Sequence, residues 1–105
     1  MTQPSNPLYH LGALPEQLNP YVILPGDPKR VPKIAALLEQ PYPVADQREF
    51  CTWNGKLNGV PVTVTSTGIG GPSASIAVEE LVQSGAHTLL RVGTCGAIQP
   101  DLKVG

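Results

Sequence analysis

Apolar residues fall in short blocks whose spacing changes from one block to the next. Tyr21-Val22-Ile23-Leu24 is continuous, the pattern of a strand buried on both faces. It stops at Pro25-Gly26-Asp27-Pro28. Val31, Ile34, Ala35 and Leu38 then recur at the spacing of one helix face. Asp27 is placed to cap that helix, with Pro28 at its first position. Pro32 is tolerated in the first turn, and Pro41 and Pro43 end the helix. Gln47 to Leu57 and Val60 to Ser66 read as two strands around Asn58-Gly59, a strong hairpin signal. A second break, Thr67-Gly68-Ile69-Gly70-Gly71-Pro72-Ser73, leads into a helix from about Ser73 to Ser84. Its expected buried stripe is Ala74, Ala77, Val78, Leu81 and Val82, with Glu79, Glu80 and Gln83 facing outward and Gly85 as C-terminal cap. Thr88 to Val92 is the last strand, ending at Gly93-Thr94-Cys95-Gly96-Ala97.

The order strand, helix, strand, strand, helix, strand predicts an α/β fold whose sheet is at least partly parallel. Residues 1–20 are proline-rich with little periodicity and read as an extended arm with one or two turns; residues 21–105 form the domain portion. The 11 glycines and 12 prolines lie mainly between the periodic segments, as turn punctuation does.

Composition narrows the function classes. Apolar residues make up 41% and charged residues 14%, enough for a core and against disorder. A net charge of −1 with no basic cluster argues against nucleic acid and against a membrane surface. No apolar run approaches the ~20 residues that cross a bilayer. The N-terminus lacks the basic and apolar regions of a secretory signal. Cys51 and Cys95 are too few for a disulfide scaffold, so reduced thiols in a cytoplasm are expected.

The chemistry concentrates in three glycine-rich loops, each after an apolar strand: 25–28, 67–71 and 93–96. In open α/β sheets ligands bind beyond the carboxyl ends of strands. Glycines there admit a ligand close to the backbone and aim N–H groups at an anion. Such turns are also ordinary in α/β proteins, so the arginines carry more weight. There are three: Arg30, Arg48 and Arg91. Arg30 follows the first loop, and Arg91 sits in an apolar strand just before Gly93. A guanidinium so placed needs a partner, either an internal carboxylate or a bound oxyanion gripped bidentately. No Walker A lysine follows any loop, and no proper dinucleotide fingerprint follows the first strand. Free phosphate or a small phosphorylated compound fits better. His10 in the arm reads as a solvated or capping residue, His87 before a strand as a surface turn residue, and Cys51 and Cys95 as small buried apolar residues.

These loops, in this order, resemble those of the nucleoside phosphorylase family. Pro25-Gly26-Asp27-Pro28-x-Arg30 resembles its first phosphate loop and Arg91-Val92-Gly93-Thr94-Cys95-Gly96-Ala97 its central one. His10-Leu11-Gly12, Arg48-Glu49-Phe50-x-Thr52-Trp53, Ser66 to Ser73 and Ser75 to Leu81 are similar to segments of its members that act on uridine. The resemblance implies the N-terminal portion of a three-layer fold, a mixed central sheet flanked by helices. It implies reversible phosphorolysis of uridine, and possibly deoxyuridine, to uracil and (deoxy)ribose 1-phosphate in pyrimidine salvage. A purine nucleoside substrate and a non-catalytic phosphate-binding module stand as alternatives. By resemblance Gly26, Arg30, Arg91, Gly93 and Thr94 would bind phosphate, with Asp27 orienting the first loop. Arg48 would reach phosphate in a neighbouring subunit's site, and His10 the 5′-hydroxyl of the neighbour's nucleoside. Glu49, Ile69 and Ser73 match positions for a monovalent cation such as K+ between subunits; an ordinary hydrogen-bonded dimer contact is the competing reading. No other cofactor is implied, and the assembly would be a hexamer built as a trimer of dimers. The family's complete subunits are longer, and their base- and ribose-gripping residues match nothing here. The chain is therefore expected to be a portion of a subunit, marginally stable and inactive alone.

Overall fold

The computed structural model describes residues 6–105. The first five residues of the expected 1–20 arm lie outside the described residues. Five strands form one mixed sheet: β1 (Tyr21–Pro25), β2 (Glu39–Gln47), β3 (Phe50–Leu57), β4 (Val60–Thr65) and β5 (Thr88–Val92), in the order β2-β3-β4-β1-β5. β1 pairs in parallel with both β4 and β5, whereas β2–β3 and β3–β4 are antiparallel hairpins. Helix α1 (Arg30–Ala35) connects β1 to β2, and α2 (Gly71–Gln83) connects β4 to β5.

Alternation along the strands assigns the two faces. Val22 and Leu24 point to the face that packs with Leu11, Leu18, Phe50, Ala77 and Leu81, under the arm and α2. Ile23 and its register partner Val64 point to the other face, with Val31, Ile34, Leu38, Cys51 and Trp53 around α1. On the arm face β3 and β4 carry a buried polar row, Thr52, Asn54, Thr63 and Thr65, in place of aliphatic residues. That row is satisfied internally, as burial requires. Thr63 Oγ1 donates to Asn54 Oδ1 at 2.6 Å and accepts from the Asn19 N–H at 2.9 Å. Asn54 Nδ2 donates to the Gln17 carbonyl at 2.6 Å, and Thr52 bonds Thr65. Residues 6–20 therefore lie on the sheet, with one 3₁₀ turn at Pro15–Gln17 and with Leu11, Ala13 and Leu18 inserted into the core.

Three elements differ from the sequence expectation. The run from Glu39 to Gln47 is strand β2, although Pro41 and Pro43 read only as a helix stop. β2 is an edge strand with irregular register, where a proline without a ladder N–H is tolerated. Helix α1 is correspondingly short, and its cap residue is Lys29 rather than Asp27. On α2 the buried residues are Ser73, Ala77, Glu80 and Leu81, so Glu80 faces inward while Val82 is exposed. No helix among the described residues is long and apolar enough to cross a membrane.

Candidate anion site at the strand ends

β1, β4 and β5 run in the same direction, so their carboxyl ends meet at one edge of the sheet. The loops that follow are tied together by the backbone. The Thr67 N–H donates to the Pro25 carbonyl and the Gly68 N–H to the Gly26 carbonyl, both at 2.9 Å. They frame an open cleft of about 790 Å³ whose wall includes Gly26, Asp27, Arg30, Arg91, Gly93 and Thr94. The three loops singled out from the sequence thus meet in space, at the place where open α/β sheets bind ligands.

Arg91 is exposed near the end of β5. Its Nη1 donates to the Leu24 carbonyl at 3.2 Å and also bonds the Val92 carbonyl. Among the described residues none of the three arginines forms an ion pair with a carboxylate. The guanidinium of Arg91 is therefore aimed by neutral acceptors and keeps its full charge for a ligand. Two glycines make room for it. A Cβ on Gly26 would sit 3.2 Å from its Nη2, and one on Gly93 would sit 2.9 Å from its Nη1. Asp27 orders the first loop as an Asx turn: its Oδ1 accepts the Lys29 N–H at 2.9 Å, and its carbonyl accepts the Arg30 N–H at 3.0 Å. That turn sets Arg30 at the start of α1, on the cleft wall.

Glu49 and Ile69 also reach this cleft. Glu49 lies in the two-residue turn between β2 and β3, and its Oε2 accepts the Ser73 hydroxyl at 2.9 Å. Its own backbone N–H and the Ser73 hydroxyl hold its carboxyl below the usual carboxylate range, outweighing slight desolvation, with help from the charges of Arg48 and His10. Gly68 packs against this pair at φ +72°, a left-handed conformation that favours glycine. Ser73 is buried behind it, and Ile69 is 98% exposed at the rim.

Arg48 and His10 do not line the cleft of their own chain. Arg48 sits beside Glu49 in the same turn, at φ +54°, with its guanidinium carbon 5.9 Å from the centre of the Tyr9 ring. His10 is held by Glu80: its Nδ1 is 2.7 Å from Glu80 Oε2. The same carboxylate accepts the backbone N–H of His10 at 3.1 Å and of Leu11 at 3.0 Å. Burial pushes the Glu80 carboxyl up, but the hydrogen bonds from Leu11 and His10, together with the imidazole's charge, bring it below the usual range. Sequence reasoning missed Glu80. Its signal was spacing, since it follows Ser73 by seven residues and Ala77 by three, on the buried stripe.

Comparison with known proteins agrees with this architecture. A family model described as the phosphorylase superfamily matches residues 20–105. Uridine phosphorylase of Escherichia coli (strain K12) is 57% identical over 100 residues, which is 93% of this chain and 40% of that protein. Uridine phosphorylase of Thermococcus kodakarensis is 54% identical over 97 residues, 92% of this chain and 35% of that protein. Guanosine phosphorylase of Halorubrum lacusprofundi is 53% identical over 83 residues, 79% of this chain and 34% of that protein. The crystal structure of uridine phosphorylase from Vibrio fischeri ES114 superposes with a TM-score of 0.91 at 40% identity, covering 98% of this chain and 43% of that one. The chain spans about two fifths of the length of these uridine phosphorylases. With the family model matching most of the chain and the sheet, loops and helices superposing on a solved member, the chain belongs to the phosphorylase superfamily.

Proposed function

We propose that this chain supplies the phosphate half-site of a uridine phosphorylase, which splits uridine, and deoxyuridine, into uracil and the 1-phosphorylated pentose in pyrimidine salvage. The observation that carries this reading is the cleft in which Arg30, Arg91 and the Gly93-Thr94 segment face one another with no carboxylate on either guanidinium. The chemistry suits such residues. The C1′–N bond breaks with its electron pair leaving on the base, while a phosphate oxygen bonds to C1′ from the opposite face. No protein nucleophile is required. Catalysis is positioning and electrostatics: phosphate is held where positive charge develops on the sugar. Gly26, Arg30, Arg91, Gly93 and Thr94 would hold the anion, and Asp27 would keep the first loop in shape. Arg48 and His10 lie away from this cleft in their own chain, which suits the roles of reaching phosphate and the nucleoside 5′-hydroxyl in a neighbouring subunit. That arrangement requires a homo-oligomer, and we assign a cytoplasmic hexamer made of three such dimers. The Glu49 carboxylate and Ser73 hydroxyl are hard oxygen donors of the kind a monovalent cation such as K+ takes, and Ile69 lines the same cleft as Glu49.

A purine nucleoside is the second reading. It is favoured by one observation: the guanosine phosphorylase matches this segment at 53%, close to the uridine enzymes, so the shared segment serves either base. The test uses the complete subunit, with this chain at its start. Uracil release from uridine that depends on added phosphate supports the proposal; guanine release from guanosine without uracil release selects the second reading. In that enzyme Arg91→Ala should cost about 2–4 kcal/mol of transition-state binding, or roughly 30- to 1,000-fold in kcat/KM. Near-normal turnover at ordinary phosphate rejects Arg91's role.

A further inference from the structure

The least expected side chain in the molecule is Glu80, an acid on the buried face of α2 that contacts the arm rather than the cleft. It is 8% exposed and accepts hydrogen bonds from the two backbone N–H groups of His10 and Leu11 as well as from the His10 ring. An ionised carboxylate has no proton to give. The imidazole nitrogen it faces at 2.7 Å must therefore carry the hydrogen. In the neutral ring this leaves Nε2 unprotonated, and Nε2 takes no hydrogen bond from any described residue. The ring plane is also braced, edge to face, by Tyr9 at 4.8 Å and Phe50 at 6.5 Å between centroids.

We infer that Glu80 is the positioning residue for His10: it fixes both the place of the imidazole and its tautomer, presenting Nε2 as an acceptor for a ligand hydroxyl. The inference rests on the proposed role of His10 toward a nucleoside 5′-hydroxyl, and it adds which proton goes where. The ligand's O–H donates to Nε2, while the Nδ1–H stays on Glu80. Among the described residues, Glu49 acts on His10 through space and Arg48 lies over the Tyr9 ring, both in the turn between β2 and β3. Neither bonds the imidazole, so neither can select between its nitrogens. Glu80 alone makes the choice, from a helix that the core holds through Ala77 and Leu81. A bare packing role would be served by any neutral side chain of this size; the demand for an acceptor at three donors at once is what singles out a carboxylate.

Two measurements test this, one on the chain and one on the complete enzyme. The ¹⁵N resonances of the neutral His10 ring should show the proton on Nδ1 in the unaltered chain. Glu80→Gln, whose amide can donate as well as accept, should move that population toward Nε2–H. A ring protonated on Nε2 in the unaltered chain overturns the inference, and so does a ring whose resonances do not change in a folded Glu80→Gln chain. If Glu80→Gln fails to fold, the unaltered chain still decides. In the complete enzyme the readout is the preference for uridine over 5′-deoxyuridine in kcat/KM. Glu80→Gln should lower that preference by about tenfold, the worth of one well-made hydrogen bond, and should lower it no further when His10 is already alanine. An unchanged preference in Glu80→Gln, or full additivity with His10→Ala, overturns the positioning role. If His10→Ala alone leaves the preference intact, the 5′-hydroxyl reading of His10 fails, and the ring resonances still judge Glu80 separately.

Discussion

Replacing Gly68 by alanine perturbs the site at a point where backbone strain and close packing coincide. Gly68 has φ +72°, and a Cβ there would fall 2.5 Å from Glu49 Cγ and 2.8 Å from Ser73 Oγ. The left-handed backbone alone costs an alanine ~1–2 kcal/mol. Glu49 is exposed and its side chain can swing away, but doing so breaks its hydrogen bond from Ser73. Ser73 is buried and cannot yield in the same way. Losing or stretching that bond adds ~0.5–1.5 kcal/mol, so Gly68→Ala should destabilise by about 1.5–3.5 kcal/mol. Even a complete native domain has only roughly 5–15 kcal/mol in all, so the change is large. Urea unfolding followed by Trp53 fluorescence should show the midpoint fall by about 1–2 M at unchanged slope. Gly59→Ala supplies the internal reference: Gly59 has φ +79° with nothing within 4 Å of a Cβ, so it carries the backbone cost alone. If Gly68→Ala costs no more than Gly59→Ala, the packing of Glu49 and Ser73 against Gly68 is refuted. The effect should also reach the cleft, because the Gly68 N–H donates to the Gly26 carbonyl and Gly26 lies against Arg91.

Other expectations follow from the same contacts. Leu81→Ala, at a fully buried position of α2, should cost about 2–5 kcal/mol in the same unfolding assay. Glu80 has a folded-state pKa below its unfolded value, so its contribution is present above the ordinary carboxylate range and is lost as pH falls through the lowered folded value. Acid titration of stability should therefore be flatter in Glu80→Gln than in the unaltered chain; equal slopes would contradict the clamp. Cys95 is exposed and should react with a thiol reagent in the native chain. Cys51 is buried, with its thiol pushed up by burial and by the nearby Asp46, and should react only on unfolding; equal rates would contradict the packing around α1.

What was legible in the sequence is what local pattern determines. β1 and β5 follow from continuous apolar runs, and the β3–β4 hairpin from Asn58-Gly59, whose φ values of +51° and +79° are those its turn demands. The three loops could be named because glycine and proline mark strand ends, and their convergence follows once the strands between them run parallel. β2 was not legible, since Pro41 and Pro43 are disfavoured in an interior strand and only the sheet order makes this one an edge. Glu80 was hidden by its charge: a carboxylate at a core-facing position is discounted unless its partners are known, and those partners lie about seventy residues away in the arm.

The partners of Arg91 clarify how the cleft can bind an anion at all. An arginine already paired with a carboxylate must lose that partner or share it when phosphate arrives, and the exchange leaves little net gain. Carbonyl oxygens do not compete in this way. The Leu24 and Val92 carbonyls occupy Nη1 of Arg91 and fix the plane of the guanidinium, yet they add no negative charge. A phosphate then meets an oriented cation whose electrostatic attraction is uncancelled. Of the two acids on the cleft wall, Glu49 is turned toward Ser73 and Gly68, and Asp27 accepts the Lys29 N–H. The separation of signs has a consequence for mutation. Leu24 contributes its carbonyl, not its side chain, so Leu24→Val should leave Arg91 aimed and phosphate affinity unchanged while lowering stability by about 1 kcal/mol. An acid placed within reach of Arg91, as in Thr94→Asp, should weaken phosphate binding with little loss of stability, because Thr94 is exposed on the cleft wall. Phosphate affinity that survives Thr94→Asp would mean that the guanidinium of Arg91 does not face the ligand, and the electrostatic account of the cleft would fail with it.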